Sequence, residues 1–222
     1  IFDVYPATSD IVYELPDSMA HYGSQKPELG LGEFFTDAWT LVDQLTPSID
    51  FSQYRSFIIF HAGSDQQSNL SFSPTNTPND LFTGFIIMGD SAVSVDGGAF
   101  KIGEGLIIPE TVSQDTRIGA LNAVMAHEFG HQLGLVDLYK TYDVRTGQFT
   151  FTTQVGDFSL MDNNATDVGV ELEGSQGPFR GPAFGTLPVY PDAWSRAYLG
   201  FEIPVEVHNQ QDALIKAAAL LS

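Results

Sequence analysis

The chain has 222 residues, a length that suits one large domain or two small lobes around a shared cleft. It carries 28 acidic and 9 basic residues, and the resulting formal charge of −19 repels phosphate backbones, so we expect no nucleic acid partner. The absence of cysteine excludes disulfides, thiol nucleophiles and thiolate metal sites. No apolar run reaches the roughly eighteen residues that suggest a membrane span.

The N-terminus carries no signal-peptide pattern. The chain begins at Ile1, and no charged start with an apolar core precedes the first strand-like segment at residues 11–13. We therefore expect a processed chain or an excised domain, whose compartment must be inferred from other features.

Helical and strand-like patterns alternate in the first half of the chain, which favours an α+β fold with an α/β-like N-terminal lobe. From residue 32 to 45, apolar side chains recur at three- and four-residue steps, and this spacing predicts a helix that ends before Pro47. Short apolar runs predict strands at residues 56–60, 82–88 and 105–108. The polar stretch between residues 63 and 80 predicts a long surface loop.

The second half of the chain begins with another apolar helical pattern, from residue 117 to 126, which continues into His127 and ends at Gly134. Beyond Lys140 the sequence is irregular and rich in Gly and Pro. Two more helices are predicted, one at residues 193–199 capped by Asp192 and one at 212–221. We predict one domain, residues 1–222, with an N-terminal lobe to about residue 134 and a loop-rich C-terminal lobe from about 135.

The strongest chemical signal is the segment from His127 to Asp137. The two histidines His127 and His131 are four residues apart, so a helix places both rings on one face, where they can bind one metal ion. Glu128 lies one step around the helix, beside that ion, where a carboxylate can accept a proton from water. Gly134 allows a sharp turn, which lets Asp137 supply an oxygen as third ligand and leaves a fourth position open, as in catalytic zinc sites.

This segment resembles the zinc-binding motif of the metzincin metalloproteases. With Asp137 in place of a third His, followed by Leu138 and Tyr139, it is similar to the immune inhibitor A-like family of secreted metallopeptidases. Further segments are similar to the catalytic domain of that family, so the resemblance covers most of the chain: residues 18–23, Asp50 and Phe51 with Tyr54, residues 61–63, 156–161 and 194–201.

The resemblance implies a two-lobed metzincin catalytic domain with a mixed twisted sheet, a bound Zn2+ ion, secretion, and a protein or peptide substrate. It also implies that Met161 is the Met-turn residue, a thioether packed beneath the zinc ligands. Many metzincins carry a Tyr two positions after this Met, but here that position is Asn163. Which tyrosine stabilises the transition state instead is left open among Tyr139, Tyr142, Tyr190 and Tyr198.

Other candidate groups carry weaker signals. We expect His61 to be a buried structural residue and His21 and His208 to be exposed. Calcium is a second candidate cation, with oxygens from Asp162, Asn163, Asn164 and Asp167, although a solvated acidic turn is the simpler reading. Glu171 and Glu173 are rival third zinc ligands, but their Gly-rich surroundings predict no helix to position them, so Asp137 is preferred.

The sequence therefore favours a zinc-dependent endopeptidase with His127, His131 and Asp137 as ligands and Glu128 as general base. We expect an extended substrate to pair with an exposed edge strand around residues 105–108. Two alternatives stay open: a secreted protease-like binding module without turnover, and a zinc amidohydrolase acting on a non-peptide substrate.

Overall fold

The fold is that of a computed structural model, which describes residues 2–8, 12–23, 27–68, 78–113, 119–143, 146, 148–162, 172–174, 177–179, 185–206 and 208. Its helices are α1 (Met19–Gly23), α2 (Pro27–Leu45), α3 (Asn122–Gln132) and α4 (Ala193–Tyr198). Its strands are β1 (Ile58–His61), β2 (Gly84–Ile87), β3 (Val93–Val95), β4 (Phe100–Ile102), β5 (Glu104–Pro109), β6 (Lys140–Asp143), β7 (Gln148–Thr152), β8 (Leu172–Gly174) and β9 (Gly177–Phe179).

A three-stranded mixed sheet lies beside α3. Its order is β1-β5-β2, with β1 parallel to β5 and β2 antiparallel to it. Leu106, Ile107 and Ile108 of β5 are fully buried, which agrees with the continuous apolar run of a strand covered on both faces. The described strands also form three antiparallel pairs, β3-β4, β6-β7 and β8-β9.

The main hydrophobic core lies between α2 and this sheet. The apolar stripe of α2 buries Phe34, Phe35 and Val42, and Trp39 contacts Phe57 edge-on at a ring separation of 5.4 Å. Burial of large apolar and aromatic side chains is the dominant stabilising contribution in such a layer. The core thus fixes the sheet on one side, and α3 contacts β2 and β5.

The general α+β class is confirmed by these helices and the small mixed sheet. The helix predicted for residues 32–45 is present and starts earlier, at Pro27, and the three predicted strands form β1, β2 and β5. The helix predicted after Asp192 is α4, and the Asp192 carboxylate accepts hydrogen bonds from the main-chain N–H groups of Trp194 and Ser195. The helix predicted at residues 212–221 and most of the predicted polar loop lie outside the described residues.

One topological prediction is wrong. The segment around residues 105–108 was expected at an edge of the sheet, yet β5 is its central strand and pairs on both sides. Strand order depends on contacts between distant residues, which a local pattern of apolar side chains does not report. Among the described sheet strands, β1 and β2 occupy the edges. In the described part of the chain, no helix is both long and apolar enough to cross a membrane.

Candidate metal centre

Helix α3 ends in a turn that brings the chain back toward its own last residues. Gly134 adopts a left-handed conformation, with φ of 93°. Its N–H donates to the carbonyl of His131 at 2.9 Å, and the N–H of Leu135 donates to the carbonyl of Gly130 at 3.0 Å. These two bonds form a Schellman motif, in which glycine is favoured because its left-handed conformation carries no Cβ penalty. The turn sends the following residues back past His131.

The three predicted ligands meet at this turn. Oδ1 of Asp137 lies 3.1 Å from Nε2 of His127 and 3.2 Å from Nε2 of His131. Ligand atoms about 2.0–2.1 Å from a tetrahedral zinc ion are about 3.3–3.4 Å apart, so the observed separations are close to those of a zinc site. All three side chains are half-buried, and in the described part of the chain theirs is the one cluster of His and carboxylate groups that can hold a metal ion.

Hydrogen bonds at the far side of each ring orient the ligand nitrogens. Nδ1 of His127 lies 2.8 Å from the carbonyl of Leu160, and Nδ1 of His131 lies 3.0 Å from the carbonyl of Leu135. A carbonyl only accepts, so in the neutral rings Nδ1 carries the hydrogen and Nε2 presents a lone pair to Asp137. Oδ1 of Asp137 is buried and has no hydrogen-bond donor. Three facing electron pairs require a cation between them, and the residues therefore fit a divalent metal.

The electrostatics of the three ligands agree with this requirement. Burial is the largest single influence on His127 and His131 and lowers the pKa of each ring, but the Asp137 carboxylate, the charge of Glu128 and the main-chain carbonyl behind each ring together outweigh it, and the pKa of each ring is raised. Burial also opposes the charged form of Asp137, yet the two rings hold its pKa well below the usual range. The site therefore attracts a positive charge strongly, either as protons on the rings or as a metal ion.

Glu128 lies beside the ligands and is held by strand β2. Its Oε2 accepts a hydrogen bond of 2.8 Å from the N–H of Phe85, and the side chain is buried. Burial is the main cause of the raised pKa of Glu128, while the two histidine rings and the Phe85 N–H act in the opposite direction. A carboxylate with a raised pKa is suited to accept and return a proton near neutral pH. The Phe85 ring also stacks on His131, with ring centroids 6.4 Å apart.

The segment from Ser159 to Asp162 forms the floor of the site. Met161 is fully buried, and its Sδ would lie 2.7 Å from a Cβ added at Gly130, so α3 and Met161 are in close contact. The carbonyl of Met161 accepts the N–H of Leu138, next to Asp137, at 2.8 Å. The carbonyl of Leu160 orients His127. Met161 is therefore buried against α3, and its role as the Met-turn residue stays a prediction.

A buried hydrogen-bond network connects this floor to α4. Oδ2 of Asp192 accepts hydrogen bonds from the hydroxyls of Ser159, at 2.8 Å, and Ser195, at 2.6 Å. The Ser159 hydroxyl in turn accepts the N–H of Met161 at 3.1 Å. Both serines are fully buried. The sequence indicated Asp192 as a helix cap, but it gave no sign that the same carboxylate positions the segment beneath the ligands, because that contact joins residues 33 positions apart.

Of the four tyrosines left open by the sequence, Tyr139 is the one found against the ligands. Its ring stacks on His127 with centroids 6.3 Å apart and an interplanar angle of 23°. Tyr190 and Tyr198 are exposed, with 70% and 58% of their surface accessible. The side chain of Tyr142 lies outside the described residues, as does Asn163.

In the described part of the chain, the other candidate groups do not belong to the cluster of possible ligand atoms. His61 is buried against Phe34, as expected of a structural residue, and His21 and His208 are exposed. Asp162 is buried rather than solvated, because its Oδ2 accepts the N–H groups of Gln154, Val155 and Gly156. The remaining calcium candidates Asn163, Asn164 and Asp167 lie outside the described residues, as do Glu171 and the side chain of Glu173. The calcium prediction stays a prediction.

Comparison of the chain with protein-family models, with curated proteins and with solved structures finds no match. The interpretation of the site therefore depends on its own geometry.

Proposed function

We propose that the protein is a zinc-dependent endopeptidase of the metzincin type, secreted, with His127, His131 and Asp137 as metal ligands and Glu128 as general base. The observation that carries the proposal is the convergence of both Nε2 atoms on a buried carboxylate oxygen that has no hydrogen-bond donor. A buried acceptor without a donor is costly, and a divalent cation removes that cost. Two imidazoles and one carboxylate also leave a coordination position open, as in catalytic zinc sites.

The metal supplies one part of the chemistry. Held by His127, His131 and Asp137, a zinc ion would supply a Lewis acid for the carbonyl of the scissile bond and would lower the pKa of a bound water toward about 7. The chain supplies the orientation of the ligands, through the Leu160 and Leu135 carbonyls behind the two rings. Such partners fix the ring direction and raise the basicity of the ligand nitrogen.

Glu128 performs the proton transfer in this proposal. Its carboxylate accepts the proton of the attacking water and returns it to the leaving amine. The Phe85 N–H holds Oε2 at 2.8 Å and so fixes the position of the carboxylate. Burial raises the pKa of Glu128, which makes the carboxylate a stronger acceptor for the proton of that water.

Strand β2, rather than β5, is the strand that can pair with an extended substrate. The N–H of Phe85 points away from β5, because it donates to Glu128. In an antiparallel pair the N–H and C=O of one residue point to the same side, so the Phe85 carbonyl also lies on this outer edge. A peptide that adds to this edge is held by main-chain hydrogen bonds to groups other than the Phe85 N–H, which is already donated to Glu128. Here it would lie next to both the general base and the ligand ring of His131.

The substitution Glu128→Gln tests the proposed base while leaving the ligands in place. We expect hydrolysis of casein to fall by at least about a hundredfold, the usual contribution of a general base, while one zinc ion per chain stays bound. Glu33→Gln is a matched control on an exposed glutamate of α2 and should leave both properties unchanged. Unchanged casein hydrolysis in Glu128→Gln would reject the assigned role.

A chelator series separates the proposal from its two alternatives. We expect casein cleavage to stop with a zinc chelator and to return when zinc is added back. A zinc-loaded protein that cleaves no peptide substrate but hydrolyses small amides would instead identify a non-peptide amidohydrolase. A zinc-loaded protein that hydrolyses neither would identify a binding module.

A further inference from the structure

Alternate residues of β2 present their main-chain groups to its outer edge. Phe85 lies opposite Leu106 of β5, and the Leu106 N–H donates to the carbonyl of Phe57 at 2.9 Å, on the other side of β5. Phe85 therefore makes no main-chain bond to β5. Met88 does turn toward the sheet, because its N–H donates to the carbonyl of the residue between β4 and β5 at 2.8 Å. Since the direction alternates along an extended chain, the residues two positions before and after Phe85 also face outward.

The outer edge is already occupied at Thr83. The side-chain amide of Gln67 accepts a hydrogen bond from the Thr83 N–H at 2.9 Å and donates one to the Thr83 carbonyl at 2.6 Å. An amide that makes both bonds takes the place of a residue in a paired strand. Two residues earlier, the Leu81 carbonyl accepts the N–H of Gln66 at 2.9 Å. Gln66 and Gln67 therefore cover the edge just before β2 begins.

The turn that carries Gln67 is fixed by a buried carboxylate. Asp65 is 2% exposed, and its Oδ2 accepts the hydroxyl of Thr83 at 2.6 Å. Its Oδ1 accepts the N–H of Ser68 at 2.8 Å. Hydrogen bonds to a carboxylate are stronger than those between neutral groups. The two bonds lie on either side of Gln67 in the sequence, so its amide is held against Thr83 although the residue as a whole is exposed.

The other end of β2 has an uncovered edge. In the described part of the chain, no hydrogen bond reaches the outer N–H or carbonyl of Ile87, and this residue is 70% exposed. Phe85 lies between the two ends, and its N–H donates to Glu128. The proposed general base therefore marks the level of the reacting bond. On one side of that level the edge is covered by Gln67, and on the other it is exposed at Ile87.

We propose that Gln67 closes one end of the substrate-binding edge of β2, so that a bound peptide pairs with the main chain only on the Ile87 side of its scissile bond. This inference rests on the proposed endopeptidase function. It makes Gln67 a specificity-determining residue, because substrate residues on the Thr83 side gain no main-chain hydrogen bonds from β2. The protein should therefore require an extended substrate on one side of the cleaved bond and accept a short one on the other.

Alanine extensions of a short peptide test this asymmetry. The peptide spans a bond that the wild-type protein cleaves in casein, and alanine residues, which have little side-chain surface, are added to either end. We expect kcat/KM to rise by about 2–10-fold for each main-chain bond gained at one end and to stay level at the other. Equal gains at both ends would overturn the inference and leave the proposed function intact.

Gln67→Ala removes the amide that covers Thr83. Extension at the second end of the peptide should then also raise kcat/KM, by about 2–10-fold. Gln66→Ala is the matched control, because its side chain donates to the Pro78 carbonyl and its main-chain N–H is unchanged by the substitution. It should keep the one-sided response of the wild type. A one-sided response in Gln67→Ala, with an unfolding midpoint equal to that of the wild type, would contradict the role of Gln67.

Amide hydrogen exchange gives a readout that needs no turnover. In zinc-loaded Glu128→Gln protein, the extended peptide should slow exchange of the Ile87 N–H and leave the Thr83 N–H unchanged. With Gln67→Ala added, the Thr83 N–H should exchange faster without peptide and become protected with it. Protection by peptide at Thr83 while Gln67 is present would overturn the inference alone. Wild-type protein that cleaves no peptide, together with an Ile87 N–H that peptide does not protect, would overturn the proposed function as well.

Discussion

The two hydrophobic clusters in the described part of the chain are held together by different means. The N-terminal core, between α2 and the sheet, buries twelve apolar side chains: Tyr22, Phe34, Phe35, Val42, Ile49, Phe51, Phe57, Leu81, Val93, Val95, Ile102 and Ile107. The metal-site cluster buries three among the described residues: Leu135, Leu160 and Met161. The described part of this cluster therefore contributes less burial energy than the N-terminal core. Hydrogen bonds of polar side chains supply the rest of the stabilisation of this cluster.

Those polar bonds come from single side chains that contact several groups at once. Asp162 accepts three main-chain N–H groups, and Asp192 caps α4 while it holds Ser159. Hydrogen bonds to charged groups are stronger and more directional than apolar contacts. We therefore expect the N-terminal core to determine the stability of the whole fold, and the polar bonds of the metal-site cluster to determine the position of the ligands. Substitutions in the two regions should therefore affect different measurements.

The largest expected effect is the loss of metal from the centre. His131→Ala should reduce zinc affinity by several orders of magnitude and remove all hydrolysis, because one of the two imidazole ligands is gone. The N-terminal core should stay folded in this variant, as judged by circular dichroism of the zinc-free protein. His21→Ala, on an exposed histidine, is the control. Full zinc occupancy in His131→Ala by elemental analysis would contradict the ligand assignment.

A pair of glycine substitutions should separate the two regions most clearly. A Cβ at Gly105, in β5, would lie 2.6 Å from the carbonyl oxygen of Phe57 and 2.9 Å from the Phe35 ring. Neither group can move easily, so we expect Gly105→Ala to lower the free energy of unfolding by about 3 kcal/mol.

The matched change in the other region is Gly130→Ala. Its Cβ would meet the flexible end of Met161 at 2.7 Å, and alanine favours a helix by about 1 kcal/mol over glycine. We therefore expect its free energy of unfolding to change by no more than about 1 kcal/mol, while zinc affinity falls because Met161 is displaced. Equal destabilisation by both substitutions, measured by urea unfolding, would contradict the difference between the two regions.

A smaller effect is expected at the turn that follows α3. Gly134→Ala places a Cβ on a residue with φ of 93°, which costs about 1–2 kcal/mol, and Gly200→Ala, at φ of 74°, should cost about the same. A Cβ at Gly134 would also meet the Tyr198 hydroxyl at 3.0 Å, whereas nothing lies within 4 Å at Gly200. Both variants should lose similar unfolding free energy, but only Gly134→Ala should lose zinc affinity. Unchanged zinc affinity in Gly134→Ala would show that Asp137 is positioned without this turn.

The smallest expected effect is a difference between wild type and Asp137→Asn in how the unfolding midpoint depends on pH. The pKa values of His127 and His131 are raised in the folded chain by Asp137, so this interaction stabilises the zinc-free protein fully below about pH 6.5 and is lost as the pH rises through the raised values. The difference in unfolding midpoint between wild type and Asp137→Asn, both zinc-free, should therefore shrink between pH 6 and pH 8.

Zinc should reverse the direction of this pH dependence. Metal binding displaces protons from the two histidine rings, so it becomes stronger as the pH rises. Stabilisation of the wild type by a fixed zinc concentration should grow over the same pH range. His61, whose pKa is lowered chiefly by burial, is common to both proteins and cancels in the comparison. If the difference in unfolding midpoint between the zinc-free wild type and Asp137→Asn does not change with pH, the two rings do not share protons with Asp137.

Local patterns were sufficient to predict helix α2 of the N-terminal core, though not α1, and to predict that His127, His131 and Asp137 lie together; their role as metal ligands stays a prediction. The stripe of α2 and the four-residue spacing of His127 and His131 each follow from helix periodicity, and Gly134 indicated the turn that the structure contains. The central place of β5 was not predictable, because strand order is decided by pairing between distant segments.

The polar supports of the site were missed for a related reason. Phe85 acts through its main-chain N–H, which leaves no mark in the identity of a side chain. Ser159 and Asp192 are common residue types whose partners lie far away in sequence. Tyr139 was one of four equivalent candidates until stacking on His127 distinguished it. Spacing within one helix and its turn predicts ligands, but the groups that orient those ligands require the fold.

X-ray absorption at the zinc K-edge of the zinc-loaded protein tests the central claim most directly. The account predicts one zinc ion per chain, with two imidazole nitrogens at about 2.0–2.1 Å and oxygen ligands in the remaining positions. His131→Ala, which should bind zinc too weakly to keep it in this site, should lose the two-imidazole spectrum. A shell of oxygen atoms alone, or a spectrum unchanged by His131→Ala, would contradict the assignment of the metal to His127, His131 and Asp137.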